Sequence, residues 1–181
     1  MDPRLELRGD CQHCQGLCCV SLAFDRSRWF AFDKQADEPC QHLQPSNRCR
    51  MHARLESTGN GGCAHYDCYG AGQRVTRELF AGVSWREAPE RAPAIFAAFR
   101  RLRDVHELRL LLHQAGSLPQ PASKQARNQA LLEQLEPAGG WCATTLAELD
   151  LTALGNAVHV HLRSLRPYVE QRSRRQLPLL R

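Results

Sequence analysis

A chain of 181 residues suits one domain or a small domain with an appendage, and 43% apolar residues is enough for an ordinary core and too many for a disordered chain. No apolar run approaches the ~18 residues that a membrane helix needs, and residues 1–10 show no basic stretch leading into an apolar one, so no membrane association and a cytoplasmic address are expected. The net charge of +5 is unevenly spread: residues 1–70 sum to about −1 and residues 71–181 to about +6.

Residues 9–70 lack helical periodicity and are punctuated by turn formers, such as Asp37-Glu38-Pro39 and Thr58-Gly-Asn-Gly-Gly62. Such a stretch buries little and needs a staple. Trp29, Phe30 and Phe32 offer a modest apolar patch. The sequence supplies its staple in sulfur: of nine cysteines, eight lie between Cys11 and Cys68. A reducing cytosol does not keep structural disulfides, so clustered cysteines there read first as metal ligands and second as redox groups.

The first knot is Cys11-Gln-His-Cys14-Gln-Gly-Leu-Cys18-Cys19. A C-x2-C step lets two sulfurs converge on one ion, and Gly16 gives the flexible backbone such a knuckle requires. In extended chain Cys18 and Cys19 would point opposite ways, one for each of two sites; alternatively one binds and the other packs inside, Cys19 being the readier to drop out. Cys40, Cys49, Cys63 and Cys68 follow. Eight thiolates fill two four-cysteine zinc sites, or give four to an iron–sulfur cluster and leave four; the spacing does not choose between zinc and iron. His13, His42, His52 and His65 lie within three residues of a cysteine and read as hydrogen-bonding neighbours of the ligands rather than ligands.

From about Gly72 the pattern becomes helical. Val75, Leu79 and Val83 recur at helical spacing, with Gly82 as a stop. Ser84-Trp-Arg-Glu87 has the form of a capping box, and Pro93 suits a first turn. The next helix carries Ile95, Phe99, Leu102, Val105, Leu108 and Leu112 on one face and ends at Gly116. A linker over 117–123 offers Ser123 as an N-cap for a short helix through Leu131, Leu132 and Leu135, stopping at Pro137 and Gly139-Gly140. Cys142, alone, reads as a small buried hydrophobe. A second box, Thr145-Leu-Ala-Glu148, opens the last segment. There Leu151, Leu154, Val158, Leu162, Leu165 and Val169 form a stripe fit for core or interface, and Pro167 should kink or break the helix. The end is basic: Arg163, Arg166, Arg172, Arg174, Arg175 and Arg181 face only Glu170.

The stretch from Gly9 to about Leu112 resembles the bacterial cysteine-cluster family described as a zinc- or iron-chelating domain. The matching positions are Cys11, Cys14, Cys18 and Cys19, then Cys40, Cys49, Cys63 and Cys68. Leu17-Cys-Cys-Val20, Phe30-Ala-Phe-Asp-Lys34 and Gly62-Cys-Ala-His-Tyr-Asp-Cys-Tyr-Gly-Ala-Gly72 look like a subgroup found ahead of pentapeptide repeats. The common form spaces its first knot C-x3-C-x2-CC, whereas this chain has C-x2-C-x3-CC, and no pentapeptide repeat follows. The resemblance implies metal chelation.

Together these readings predict a mainly α protein: a loop-rich metal-thiolate lobe over residues 1–70 packed on a small helical bundle over 71–181. No G-x-S-x-G, P-loop, G-x-G-x-x-G or H-E-x-x-H is present, so a non-catalytic binding or accessory module with a protein partner on the helices is expected rather than an enzyme. A redox iron–sulfur protein, or the accessory subunit of a modifying enzyme, is the first alternative. A nucleic-acid-binding regulator using the basic tail is the weaker one, because aromatic residues are nearly absent there.

Overall fold

The computed structural model describes residues 6–169, which are mainly helical; among them only three isolated β-bridges occur and no strand. The centre is α4 (Ala92–Gly116), a 25-residue helix. Its apolar residues recur every third or fourth position, so Ile95, Phe99, Leu102, Val105 and Leu112 fall on one buried face. Three later helices pack around it: α5 (Ala122–Leu135), α6 (Ala143–Glu148) and α7 (Leu151–Ser164). Leu131, Leu135, Leu146, Leu154 and Val158 complete the core. The stripe on α7 is thus used internally, with Leu165 also buried. The helix is interrupted after Ser164 by a turn at Leu165, and residues 166–169 are helical again with Pro167 in the first turn of that short segment. Arg172, Arg174, Arg175 and Arg181 lie outside the described residues.

The N-terminal part joins this core through few side chains. In the five-residue helix α1 (Leu17–Ser21), Leu17 and Val20 are fully buried against α4. The short α3 (Ala71–Arg74) follows α2 (Gly61–His65) and brings Ala71 and then Val75 into the same core. Between them, from Leu22 to Tyr69, no apolar side chain is buried; only Lys34, Asn60 and no other side chain in that span is. Phe24 stacks on Phe30 at 4.3 Å and meets Phe32 edge-on at 5.3 Å, a patch at the surface, and Trp29 remains 45% exposed. Burying an apolar side chain contributes about 1.5–3 kcal/mol. This 48-residue stretch gains only part of that, through half-buried side chains such as Leu22, Leu43 and Tyr66 packed against the core.

Several expected boundaries shift. The run through Val75 and Leu79 is a π turn, Val75–Leu79, in which the Phe80 N–H donates to the Val75 carbonyl at 3.1 Å; Val83 lies beyond its end, after Ala81 and Gly82 take positive φ. The Ser84 box opens no helix, although the Ser84 hydroxyl accepts the Arg86 N–H at 3.2 Å. Residues 85–87 form turns, and α4 begins only after a 3-10 turn at Pro89–Arg91. Ser123 lies inside α5, whose cap position is Pro121. Thr145 is the third residue of α6 rather than its cap. The cap is Cys142, whose sulfur accepts the Thr145 N–H at 3.4 Å while the Thr145 hydroxyl accepts the Cys142 N–H at 3.2 Å. Cys142 is accordingly exposed, not buried. Asp150 caps α7 by accepting the Ala153 N–H at 2.9 Å.

Candidate functional site

The eight clustered thiols are all free, and they come from five short pieces of chain. Asp10 caps the 3-10 turn Cys11–His13, accepting the Gln12 N–H at 2.8 Å, and this sets Cys11 and Cys14 on the first knuckle. Gly16 follows at φ 70°, where a Cβ would lie 2.7 Å from Leu43 and 3.1 Å from the Asn47 carbonyl, so only glycine passes here. That reversal starts α1, which carries Cys18 and Cys19 on consecutive positions with their sulfurs 4.0 Å apart. They sit on a helix, not on extended chain, which is why they diverge less than the sequence suggested.

Around this pair the remaining sulfurs sort into two groups. Cys14 lies in the electrostatic reach of Cys68 and Cys11, and Cys18 in that of Cys19 first and then of Cys14 and Cys68. Cys63 is within reach of Cys19, Cys40 and Cys49, and Cys49 within that of Cys19 and Cys40. The two groups are therefore Cys11, Cys14, Cys18 and Cys68, and Cys19, Cys40, Cys49 and Cys63. They meet at Cys18-Cys19, and Cys11 also senses Cys19. Backbone contacts build each group. The Cys40 N–H donates to the Cys19 carbonyl at 2.8 Å, a bridge pairs Leu43 with Cys49, and the Cys63 N–H reaches Asn60 O at 3.0 Å. On the other side, a Cβ on Gly72 would lie 2.6 Å from the Cys14 sulfur and one on Gly9 3.3 Å from that of Cys68. Both glycines let backbone press against sulfur. Among the described residues no three His, Cys, Asp or Glu side chains close to the spacing of a metal's ligands.

Three sulfurs accept backbone N–H groups from residues just downstream. Cys14 receives those of Leu17 and Gly16, Cys40 that of His42 at 3.4 Å, and Cys49 that of Met51. Donors of this kind favour the thiolate. Burial opposes them and pushes Cys14 and Cys63 up to about 11. Cys19 goes the other way: the Cys18 S–H donates to it, Lys34 and Cys49 lie beside it, and its thiol drops to about 7, while Cys18 rises.

Two further groups face the sulfurs. The Lys34 ammonium is buried and donates to the carbonyls of Val20, Leu22 and Gln35 at 2.9, 2.5 and 2.9 Å, with Cys40, Cys19, Asp37 and Glu38 as the acidic groups around it. The Tyr66 hydroxyl is buried without a partner, next to Cys18 and Cys68. Neither has a sequence pattern that would announce it. Three of the four histidines near the cysteines, His13, His42 and His65, have side chains engaged away from sulfur. His13 holds the Asp10 carboxylate at 2.6 Å, the Arg50 Nε donates to His42 at 3.2 Å, and His65 lies edge-on to Trp29. Cys142 stands apart as a helix cap.

No helix among the described residues is long and apolar enough to cross a membrane. Over 113 residues, 62% of this chain, the sequence is 43% identical to the uncharacterized protein YybG of Bacillus subtilis (strain 168), and the match spans 40% of that relative. No family model and no solved structure matches.

Proposed function

We propose that this is a metal-binding cysteine-cluster protein of the zinc- or iron-chelating kind, working in a reducing compartment as a non-catalytic accessory module. The observation that carries the reading is the sorting of eight thiols into four and four about Cys18-Cys19. Four thiolates with no carboxylate among them form a soft donor set, suited to zinc or iron rather than magnesium or calcium. Cys11, Cys14, Cys18 and Cys68 would hold one ion, and Cys19, Cys40, Cys49 and Cys63 the other. Bound metal would displace the thiol protons and close each group to ligand spacing.

Three features support the fit. The N–H···S bonds at Cys14, Cys40 and Cys49 stabilise charge on sulfur. The orphaned Tyr66 hydroxyl gains an acceptor once Cys18 or Cys68 carries charge. Lys34 offsets part of the negative charge of the second group. The metal itself would supply cross-links between α1, which is anchored in the core, and loops that bury few apolar side chains. An iron–sulfur cluster on either quartet is the alternative reading, with a redox or accessory role beside a modifying enzyme. A protein partner would dock on the helices.

Anaerobic purification, elemental analysis and an absorption spectrum test the proposal. About two zinc per chain without visible colour is expected for two four-thiolate sites. Cys14→Ser and Cys49→Ser should each remove about one equivalent. A visible absorption band with iron and sulfide would select the alternative. Protein without zinc or iron, however purified, would refute both.

A further inference from the structure

Against the outer side of the first knuckle lies an open cleft of about 400 Å³. One wall is the knuckle itself, Gln12 to Gln15; the others are the loop Ser46–Arg48 and the start of the π turn, Thr76 and Arg77. Its lining mixes polar and apolar surface and holds no carboxylate. Arg48 and Arg77 both enter it, and neither makes an ion pair among the described residues. Arg74 and Glu78, the nearest charges on Arg77's own element, are occupied with each other at 2.9 Å. The one histidine in the wall, His13, is tied to Asp10.

The backbone is irregular on both sides of the cleft. Asn47 takes φ 61°, a left-handed conformation that an L side chain seldom adopts, and Arg77 stands on a π turn. Such departures concentrate where side chains are aimed at a ligand. The walls are also pinned together. Gln15 donates its N–H to the Thr76 hydroxyl at 3.3 Å and its amide to Gly82 O at 3.0 Å, and it accepts the Trp85 indole N–H on its carbonyl at 3.0 Å. Arg86, stacked on Trp85, donates to the Asn47 carbonyl group of the side chain at 3.3 Å, which leaves the Asn47 NH2 to donate elsewhere.

We infer that this cleft is an oxyanion site that takes the phosphate group of a small hydrophilic molecule, with Arg48 and Arg77 supplying the charge and Asn47 and Gln12 neutral donors. Two arginines without acidic partners lining one cleft match a dianion carried on oxygen. Arg48 also lies near the Cys11 sulfur, so it serves both neighbours; Arg77 serves the cleft alone. The inference stands on the cleft and not on the metal reading, and metal content is measured on the same samples so that the two fail separately.

The test is calorimetric titration of the anaerobically purified full chain with inorganic phosphate and with glycerol phosphate, acetate serving as the comparison anion. Saturable phosphate binding with a Kd of about 1 mM or tighter is expected, stronger than acetate and weakened at least tenfold, roughly, in Arg77→Gln with metal content unchanged. Arg48→Gln should weaken it similarly. Binding that does not saturate, that acetate matches, or that Arg77→Gln leaves intact would overturn the assignment.

Discussion

Gly72→Ala is the sharpest perturbation of the first thiol group that leaves every sulfur in place. Gly72 is buried in α3, and a Cβ there would stand 2.6 Å from the Cys14 sulfur, with Phe99 at 3.9 Å behind it. Non-bonded heavy atoms settle at ~3.5–4.0 Å, so the sulfur must retreat by about 1 Å. Metal–ligand distances tolerate only about 0.2 Å, so a displacement of that size removes Cys14 from a coordination sphere. The effect on the fold is smaller and mixed. Overpacking costs ~1–3 kcal/mol, whereas alanine in place of glycine within a helix returns up to ~1 kcal/mol. The expected variant therefore folds, with metal-free stability lowered by ~0–2 kcal/mol, and loses about one metal equivalent of two. Elemental analysis and urea unfolding of the stripped and loaded protein read the two effects apart. A variant that keeps its full metal complement would refute the placement of Cys14 as a ligand pressed against Gly72.

Lys34→Met leaves three carbonyls without their buried donor, and should cost at least about 2 kcal/mol in urea unfolding; a neutral substitution would show that this ammonium is not structural. His106 is fully buried, its Nδ1 against the Tyr69 carbonyl at 2.6 Å, and burial pushes it down to about 3. The unfolded chain takes up that proton near pH 6.5 and the folded chain does not. Stability is thus full above that pH and falls as pH drops, by roughly 2 kcal/mol at pH 5, a slope that should be missing in His106→Gln. An identical pH dependence in the variant would contradict the burial of a neutral imidazole.

The helices were readable wherever one apolar period ran unbroken. The α4 pattern from Ile95 to Leu112 is an example, since a 25-residue helix averages over local exceptions. Caps were not readable in the same way. Ser84 and Glu87 have the right spacing, but Trp85 is buried and bonded to Gln15, and that tertiary contact holds the segment in turns. At α6 the box motif was assigned to Thr145 as cap, because a cysteine is not a usual capping residue; there it uses its sulfur as the acceptor. The mainly α class was legible from the same periodicity. In the candidate site, the identity of the eight sulfurs is plain from their clustering, but their division is not. It follows from a five-residue helix that no periodicity could announce, and from loops whose course is set by Gly16 and by bonds such as Cys40 N–H to Cys19 O. Lys34, Tyr66 and the Arg48–Arg77 cleft are invisible before the chain is folded, since each is defined by distant neighbours.

We expect sulfur and metal, more than the half-buried Leu22, Leu43 and Tyr66, to hold residues 22–69 in place. Hydrogen exchange of metal-loaded and chelator-stripped protein tests it directly. Stripping should collapse protection across that span, as its cross-links go, while α4, α5 and α7 keep theirs through their own core. Equal protection of residues 22–69 in both preparations would contradict it.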